Sequence, residues 1–413
     1  MYSNSQRLRV LWCLAFVPEY GIQHGANLRY VNLSRSLSAE GHRVYMMTVR
    51  RAFSARRVTA FLEQLKNDGI IAGYRLVDPY PRPRWLGRLS SLCVYPRASD
   101  WLLASRRRRL EEEVLTYASE CSIGGVILSD RYMLPLLTEL TRRYSTVVDW
   151  CDSVVLSALR GIRVAIGRGD WKDVLQLSKE AWNGFRDECL RERVADINLY
   201  VSPVDKALAD KWCRRRPNNN RVLFNGVHAE KNLIVPEKHR NQLIFTGAMH
   251  YPPNHEAACW FIDRVFPLVQ ARVPGVRLVI AGHDPKPSLM ARATSGIEVL
   301  GYVEDLRDCI ARSSLYVAPM ISGSGLKNKV LEALAAGTYL VATPMGVEFL
   351  PAEIRDCLLV SSVPHEMANQ IVYYLANPNI FEERFRRARE MMIRDFTWAA
   401  AAHTLAEWLK RDR

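Results

Sequence analysis

Several absences narrow the field before any motif is weighed. No apolar run approaches the ~18 residues that a membrane-spanning helix requires. The nine cysteines form no C-x-x-C pair and keep no zinc-like spacing to histidine, and their odd count points to reduced thiols in the cytoplasm. No two aspartates stand two positions apart, which removes a short acidic pair for holding a divalent ion. His250 and His255 are expected to lack a carboxylate partner and read as surface residues, so no metal ligand set is expected. The first apolar run is not followed by G-x-G-x-x-G, which weakens a nicotinamide-binding reading. Arg7 and Arg9 ahead of Val10 to Val17 imitate a signal peptide. That run meets no small-residue cleavage site and stops at Pro18-Glu19, so it reads as a buried first strand.

What remains is a chain of 413 residues, long enough for two domains with separate cores. With 48% apolar and 24% charged residues it has a globular composition. The net charge of +14 calls for an anionic partner: nucleic acid, acidic lipid or a phosphorylated substrate. Residues 50–110 interleave arginines with Phe53, Phe61, Trp85 and Trp101. Two readings fit, a segment lying on an anionic membrane or a solvated basic face.

Apolar runs alternate with helical spacing along the whole chain. Val10 to Val17 leads to a helix from about Asn27 to Gly41, then to a strand over Val44–Val49. Val126 to Leu128 ends at Asp130, and Val147-Val148 ends at Asp149, with Asp152 just beyond. Ligands of parallel sheets bind past the strands' carboxyl ends, so these acids either face a substrate or, for Asp149 and Asp152, cap the next helix. Asn225-Gly226 reads as a tight turn that uses a positive φ. Leu243 to Gly247, Val276 to Gly282, Glu298 to Gly301 and Leu315 to Ala318 repeat the strand pattern, giving a second doubly wound α/β sheet.

The most informative stretch is Leu315 to Val347. A buried strand stops at Pro319, Gly323-Ser324-Gly325 makes an amide-lined nest, and a helix over Lys327–Ala336 buries Val330, Leu331, Leu334 and Ala335. Gly337 closes the helix. Lys327 and Lys329 sit at the helix start, where cations oppose the dipole unless a phosphate answers them. Glu332 follows one turn later.

This segment, GSGLKNKVLEALAAG, resembles the donor-binding core of GT-B glycosyltransferases, in particular the GT4-like family that builds bacterial exopolysaccharides. The resemblance extends to Gly25-Ala26-Asn27-Leu28-Arg29 with Gly41-His42-Arg43-Val44, to Phe224-Asn225-Gly226-Val227, and to Phe396-Thr397-Trp398. It implies two Rossmann-like domains facing a cleft: residues 1–228, rejoined by a last helix over 397–413, and residues 229–396. It implies that Glu332 holds the ribose of a nucleotide-sugar, with Gly247, Gly282, Gly323, Ser324, Gly325, Lys327 and Lys329 around the donor. Lys329, Lys327 and Asp152 become the catalytic candidates, and Gly25, Asn27, Arg29, Asp130 and Asp149 the acceptor side. For Arg29 an exposed helix charge fits equally. Ser324 stands where many family members place a sugar-contacting Glu, which leaves sugar recognition open. The expected reaction is retaining sugar transfer to a glycan or lipid-linked acceptor, without metal or other cofactor and without nucleic acid. The expected place is the cytoplasm, on the inner face of the membrane if residues 50–110 dock there. A nucleotide-sugar 2-epimerase of the same fold and a non-enzymatic basic binding protein are the alternatives.

Overall fold

The computed structural model describes residues 7–14, 25–49, 55–77, 102–129, 131–191, 195–212, 219–228 and 236–411. Two sheets organise them, and every strand pairing in both is parallel. The first contains β1 (Arg9–Leu14), β2 (Arg43–Val49), β3 (Gly73–Val77), β4 (Gly125–Ser129), β5 (Ser145–Cys151), β6 (Ile197–Tyr200) and β7 (Asn220–Val222), in the order 3-2-1-4-5-6-7. The second contains β8 (His239–Thr246), β9 (Arg277–Ala281), β10 (Ile297–Gly301), β11 (Ser313–Ala318), β12 (Leu340–Ala342) and β13 (Leu359–Val360), in the order 10-9-8-11-12-13. Both orders reverse direction beside the first strand, so each sheet opens a crevice at its carboxyl edge.

The apolar runs become central strands because parallel sheets are covered on both faces. Along β1, Val10, Trp12 and Leu14 enter one core while Leu11 and Cys13 enter the core on the opposite face. β1 ends at Leu14, shorter than the run to Val17, whose last residues lie outside the described ones. In the second sheet β8 and β11 are sealed by helices into a core that extends from Leu243 to Phe396.

The chain crosses between the two bodies twice, and the crossings touch. Val227 bridges Thr397, its amide donates to the Phe396 carbonyl at 2.9 Å, and the rings of Phe224 and Phe396 lie 4.7 Å apart. A Cβ on Gly226 would collide with the backbone of Thr397 and Trp398. Glycine is therefore required here for close approach; Gly226 is not among the residues with positive φ, contrary to the turn expected from Asn225-Gly226. The final helix, Trp398–Arg411, then returns Trp398, Leu405 and Leu409 to the core around β1, where Leu409 fills the space over Gly125.

Candidate functional site

The carboxyl ends of β8, β9 and β10 are laced into one floor. Gly247 N–H donates to the Ala281 carbonyl at 3.1 Å, Gly282 N–H to that of Gly301 at 2.6 Å, and Met249 N–H to that of His283 at 2.7 Å. A Cβ on Gly282 would strike the Gly247 carbonyl, and one on Gly247 would stand 3.0 Å from Lys329 Nζ. Both glycines therefore act by leaving room. Past this floor the ring of His283 lies 4.9 Å from that of Tyr302, which is exposed.

Above the floor stands the helix Asn328–Ala335, held down by buried Val330, Leu331 and Leu334. Its first turn carries Lys329, whose ammonium donates to Asn254 Oδ1 and lies 4.6 Å from the centre of the Phe245 ring. Burial pulls its pKa down to about 7, against the opposing charge of Glu332. Glu332 is half-buried, and burial pushes its carboxyl above the usual range while Lys329 resists. Among the described residues that carboxylate accepts no hydrogen bond.

Lys327, two positions earlier, is in a different environment. It occupies the N-cap position without capping, and its side chain is buried. Its ammonium donates to the carbonyls of Ser324 (3.1 Å) and Gly325 (2.9 Å) and lies 3.6 Å from Glu348. Glu348 in turn receives a bidentate Arg160 at 2.6 and 2.8 Å, and Arg160 also donates to the Gly323 carbonyl. Ser324 Oγ donates to the Ser153 carbonyl, and the Gly325 amide donates to Asp205 at 3.1 Å. The amide nest expected to take a diphosphate therefore already holds a carboxylate of the first domain. Gly323, Ser324 and Gly325 are occupied in joining the domains, and Lys327 in holding their turn.

Asp152 closes this junction from the first domain. Cys151, at the end of β5, has φ 57°, an uncommon conformation for a side-chain-bearing residue. Next to it, Asp152 reaches Gly325, where a Cβ would collide with its carboxylate. Although Asp152 is open to the cleft, crowding strips its hydration and, with Asp205 alongside, pushes its pKa up to about 7. Lys327 and Arg29 pull the other way.

Neither Asp149 nor Asp152 caps the following helix, Val154–Arg168; Ser153 does, accepting from the Leu156 amide. Glu188 completes that helix start, accepting from Ser153 Oγ at 2.8 Å and the Val154 amide at 2.7 Å. Burial pushes Glu188 up to about 7 despite those bonds.

The acceptor-side expectations change most. Arg29 is buried rather than an exposed helix charge, and its Nε donates to both oxygens of Asp149, at 3.2 and 2.8 Å. Its Nη1 donates to the Leu223 carbonyl and to Asn225 Oδ1, and Asn225 Nδ2 reaches Asn328 Oδ1 at 3.0 Å. Arg29 and Asp149 thus neutralise each other beneath the crossing and brace the start of the Lys329 helix. Gly25 and Asn27 lie in the first turn of the helix Gly25–Ala39. Asp130 lies outside the described residues, as does much of 50–110. His250, expected to lack a carboxylate, has Asp284 at 3.6 Å on an exposed surface, while His255 is within 3.3 Å of Ser288 Oγ. No group of three or more His, Cys, Asp or Glu suited to a metal ion occurs among the described residues.

Sequence reasoning missed Asn254, Arg160, Glu188 and Glu348. Asn254 had a local signal, since Pro252-Pro253 opens a helix directly after the floor loop. The other three acquire meaning only through contacts far apart in sequence.

Residues 240–377 match the family described as Glycosyl transferases group 1. The match runs from β8 past β13 and so spans the second sheet. A phosphatidyl-myo-inositol mannosyltransferase of Mycobacterium tuberculosis is 28% identical over 149 residues, 33% of this chain and 39% of that protein. A 44.6 kDa protein of the cps region of Klebsiella pneumoniae is 24% identical over 148 residues, covering 34% and 38%. The aligned segments thus span about two fifths of those curated relatives. Over the whole chain, the structure of Anabaena HepE in complex with UDP superposes with a TM-score of 0.65 at 14% identity, covering 98% of this chain and 100% of that one. Sucrose-phosphate synthase from Thermosynechococcus elongatus gives 0.65 at 15%, covering 98% and 99%. The fold of the whole chain is GT-B.

Proposed function

We propose that this GT-B protein transfers a sugar from a nucleotide-sugar to a glycan or lipid-linked acceptor. One observation carries the reading: Glu332, half-buried and without a hydrogen-bond partner among the described residues, stands one turn from Lys329 above the strand ends. A carboxylate so placed suits vicinal ribose hydroxyls, and an ammonium beside it suits a diphosphate. His283 and Tyr302, just past Gly282 and Gly301, offer ring faces to a base.

In this scheme Lys329, with Asn254 steering it, neutralises the departing diphosphate. Lys327 serves indirectly, by shaping the 323–325 turn and holding Glu348, on which the first domain's Arg160 docks. Asp152 faces the acceptor hydroxyl across the cleft, and closure of the domains keeps water from the donor. Transfer is retaining: the acceptor hydroxyl attacks the anomeric carbon on the face from which the diphosphate departs, the departing phosphate takes its proton, and Lys329 replaces a divalent ion.

Incubation with a panel of nucleotide-sugars, with and without glycan and lipid-phosphate acceptors, tests the reading. The expected product is a glycoside of unchanged anomeric configuration, formed in excess EDTA. An epimerised nucleotide-sugar without acceptor would establish the 2-epimerase instead. No turnover, with affinity for nucleic acid falling steeply with salt, would establish a binding protein.

A further inference from the structure

The helix Val154–Arg168 begins at the cleft, just past Asp152 and Ser153, and runs out for 15 residues, about 22 Å. Gly169, with φ 72°, and the capping Asp170 reverse the chain into a second helix, Trp171–Phe185. The two helices pack closely because their contact includes glycines: Leu177 fills the space over Gly161, and Val154 and Val155 that over Gly184. The first helix is fixed to the second domain, by Arg160 on Glu348 and Arg168 on Glu256. The hairpin's surface is unusually apolar: of 14 exposed large hydrophobic residues among those described, six fall within residues 154–185.

On the second helix Trp171 (66% exposed), Leu175 (74%) and Trp182 (66%) lie at positions i, i+4 and i+11, one continuous stripe. By the helical period Lys172 and Lys179 flank the stripe, while Asp173 and Glu180 fall on the far side. Ile166 adds a further exposed apolar side chain on the first helix. Tryptophans at both ends, leucine between them and lysines alongside are the chemistry of a helix lying in a headgroup layer. A protein partner would be expected to bury such a stripe in a shaped groove. Here the stripe is linear and bordered by positive charge, on a chain of net charge +14.

We propose that this hairpin is a docking surface for an anionic lipid bilayer, placing the membrane within one helix length of Asp152. It deepens the sugar-transfer reading, on which the lipid-linked acceptor rests, and moves the docking site from residues 50–110 to residues 154–185. The lipid contact itself is measured without turnover, so its failure would leave sugar transfer standing.

The experiment is co-sedimentation of the full chain with phosphatidylglycerol-containing and with pure phosphatidylcholine vesicles, at low and at physiological salt. The expected result is binding to the anionic vesicles that weakens with salt, and at least tenfold weaker binding by the Trp171→Ser/Leu175→Ser/Trp182→Ser variant. If that variant unfolds early in a thermal scan, Leu175→Glu alone replaces it. Arg56→Glu with Arg57→Glu is expected to leave binding within threefold. No binding by the wild type, or binding lost in the arginine variant and kept in the stripe variants, overturns the proposal. So does a wild-type dimer that the stripe variant dissociates, because the stripe would then be a self-interface.

Discussion

Lys327 and Lys329 stand two residues apart at the same helix start, and the fold treats them in opposite ways. Lys327 is saturated: two backbone carbonyls and Glu348 surround its ammonium, and it ties the 323–325 turn to Glu348, which the first domain's Arg160 grips. Lys329 is underused: a neutral amide and a ring face are its close neighbours, and burial holds it at about 7. A buried cation that already has its counter-ions is structure, whereas a buried cation short of them is set up for an anion that arrives later. The carboxylates divide in the same manner. Asp205 and Glu188 bind amides and hydroxyls, while Glu332 accepts no hydrogen bond among the described residues.

The sharpest way to break this comparison is to remove the underused pair. Lys329→Ala should weaken nucleoside diphosphate binding about 10- to 100-fold, since a hydrogen bond to a charged group contributes about 1.5–3 kcal/mol. Glu332→Gln should weaken it about tenfold on the same scale and leave the unfolding temperature little changed. Equilibrium titration of each folded variant checks both.

Protonation offers a finer cut. Lys329 has its pKa lowered to about 7, and a bound diphosphate favours the charged form. Binding should be strongest below pH 7. Above it, complex formation should take up a proton and affinity should fall by up to about tenfold per pH unit. Calorimetry at pH 8 in buffers of different ionisation enthalpy reads that proton directly, and no uptake would contradict the assignment.

The saturated side should fail through stability. Lys327→Met leaves two buried carbonyls without their donor, while Glu348 keeps Arg160, a loss of about 1–3 kcal/mol. It should lower the unfolding temperature while nucleotide affinity in the folded protein stays within about threefold of wild type, a change under 1 kcal/mol. Asp205→Asn is milder, since the amide oxygen can still serve one of its backbone donors, Ser153 N–H or Gly325 N–H. A loss of about 1.4 kcal/mol of domain closure corresponds to a tenfold shift in the closed population. Faster hydrogen exchange of the 323–325 turn would report it.

The contrast also shows which parts of the protein were legible in its sequence. Both sheets could be read because parallel strands are continuous apolar runs, as in β1, β8 and β11, and the Asn328–Ala335 helix because Val330, Leu331 and Leu334 repeat with its period. Lys329 and Glu332 could be paired because three residues along a helix is one turn. Lys327 could not be told from Lys329, because what separates them is Glu348 and the shape of the 323–325 turn, which Asp205 and Arg160, more than a hundred residues away, hold in place. Arg29 read as a possible surface charge for the same reason: its partners, Asp149 and Asn225, belong to distant strand ends. Local periodicity reports burial of an element's face, but not which charges a second domain brings to it.

We propose that the nucleotide is held at Lys329 and Glu332 rather than on the glycine turn with Lys327. Thermal unfolding of wild type, Lys329→Ala, Glu332→Gln and Lys327→Met with a panel of nucleoside diphosphates, UDP among them, tests it most directly. A ligand at 100 times its dissociation constant stabilises by about 2.7 kcal/mol. The account predicts such a shift for at least one nucleotide with wild type and Lys327→Met, and its loss in Lys329→Ala and Glu332→Gln. A shift that survives in Lys329→Ala and Glu332→Gln but disappears in Lys327→Met would contradict it.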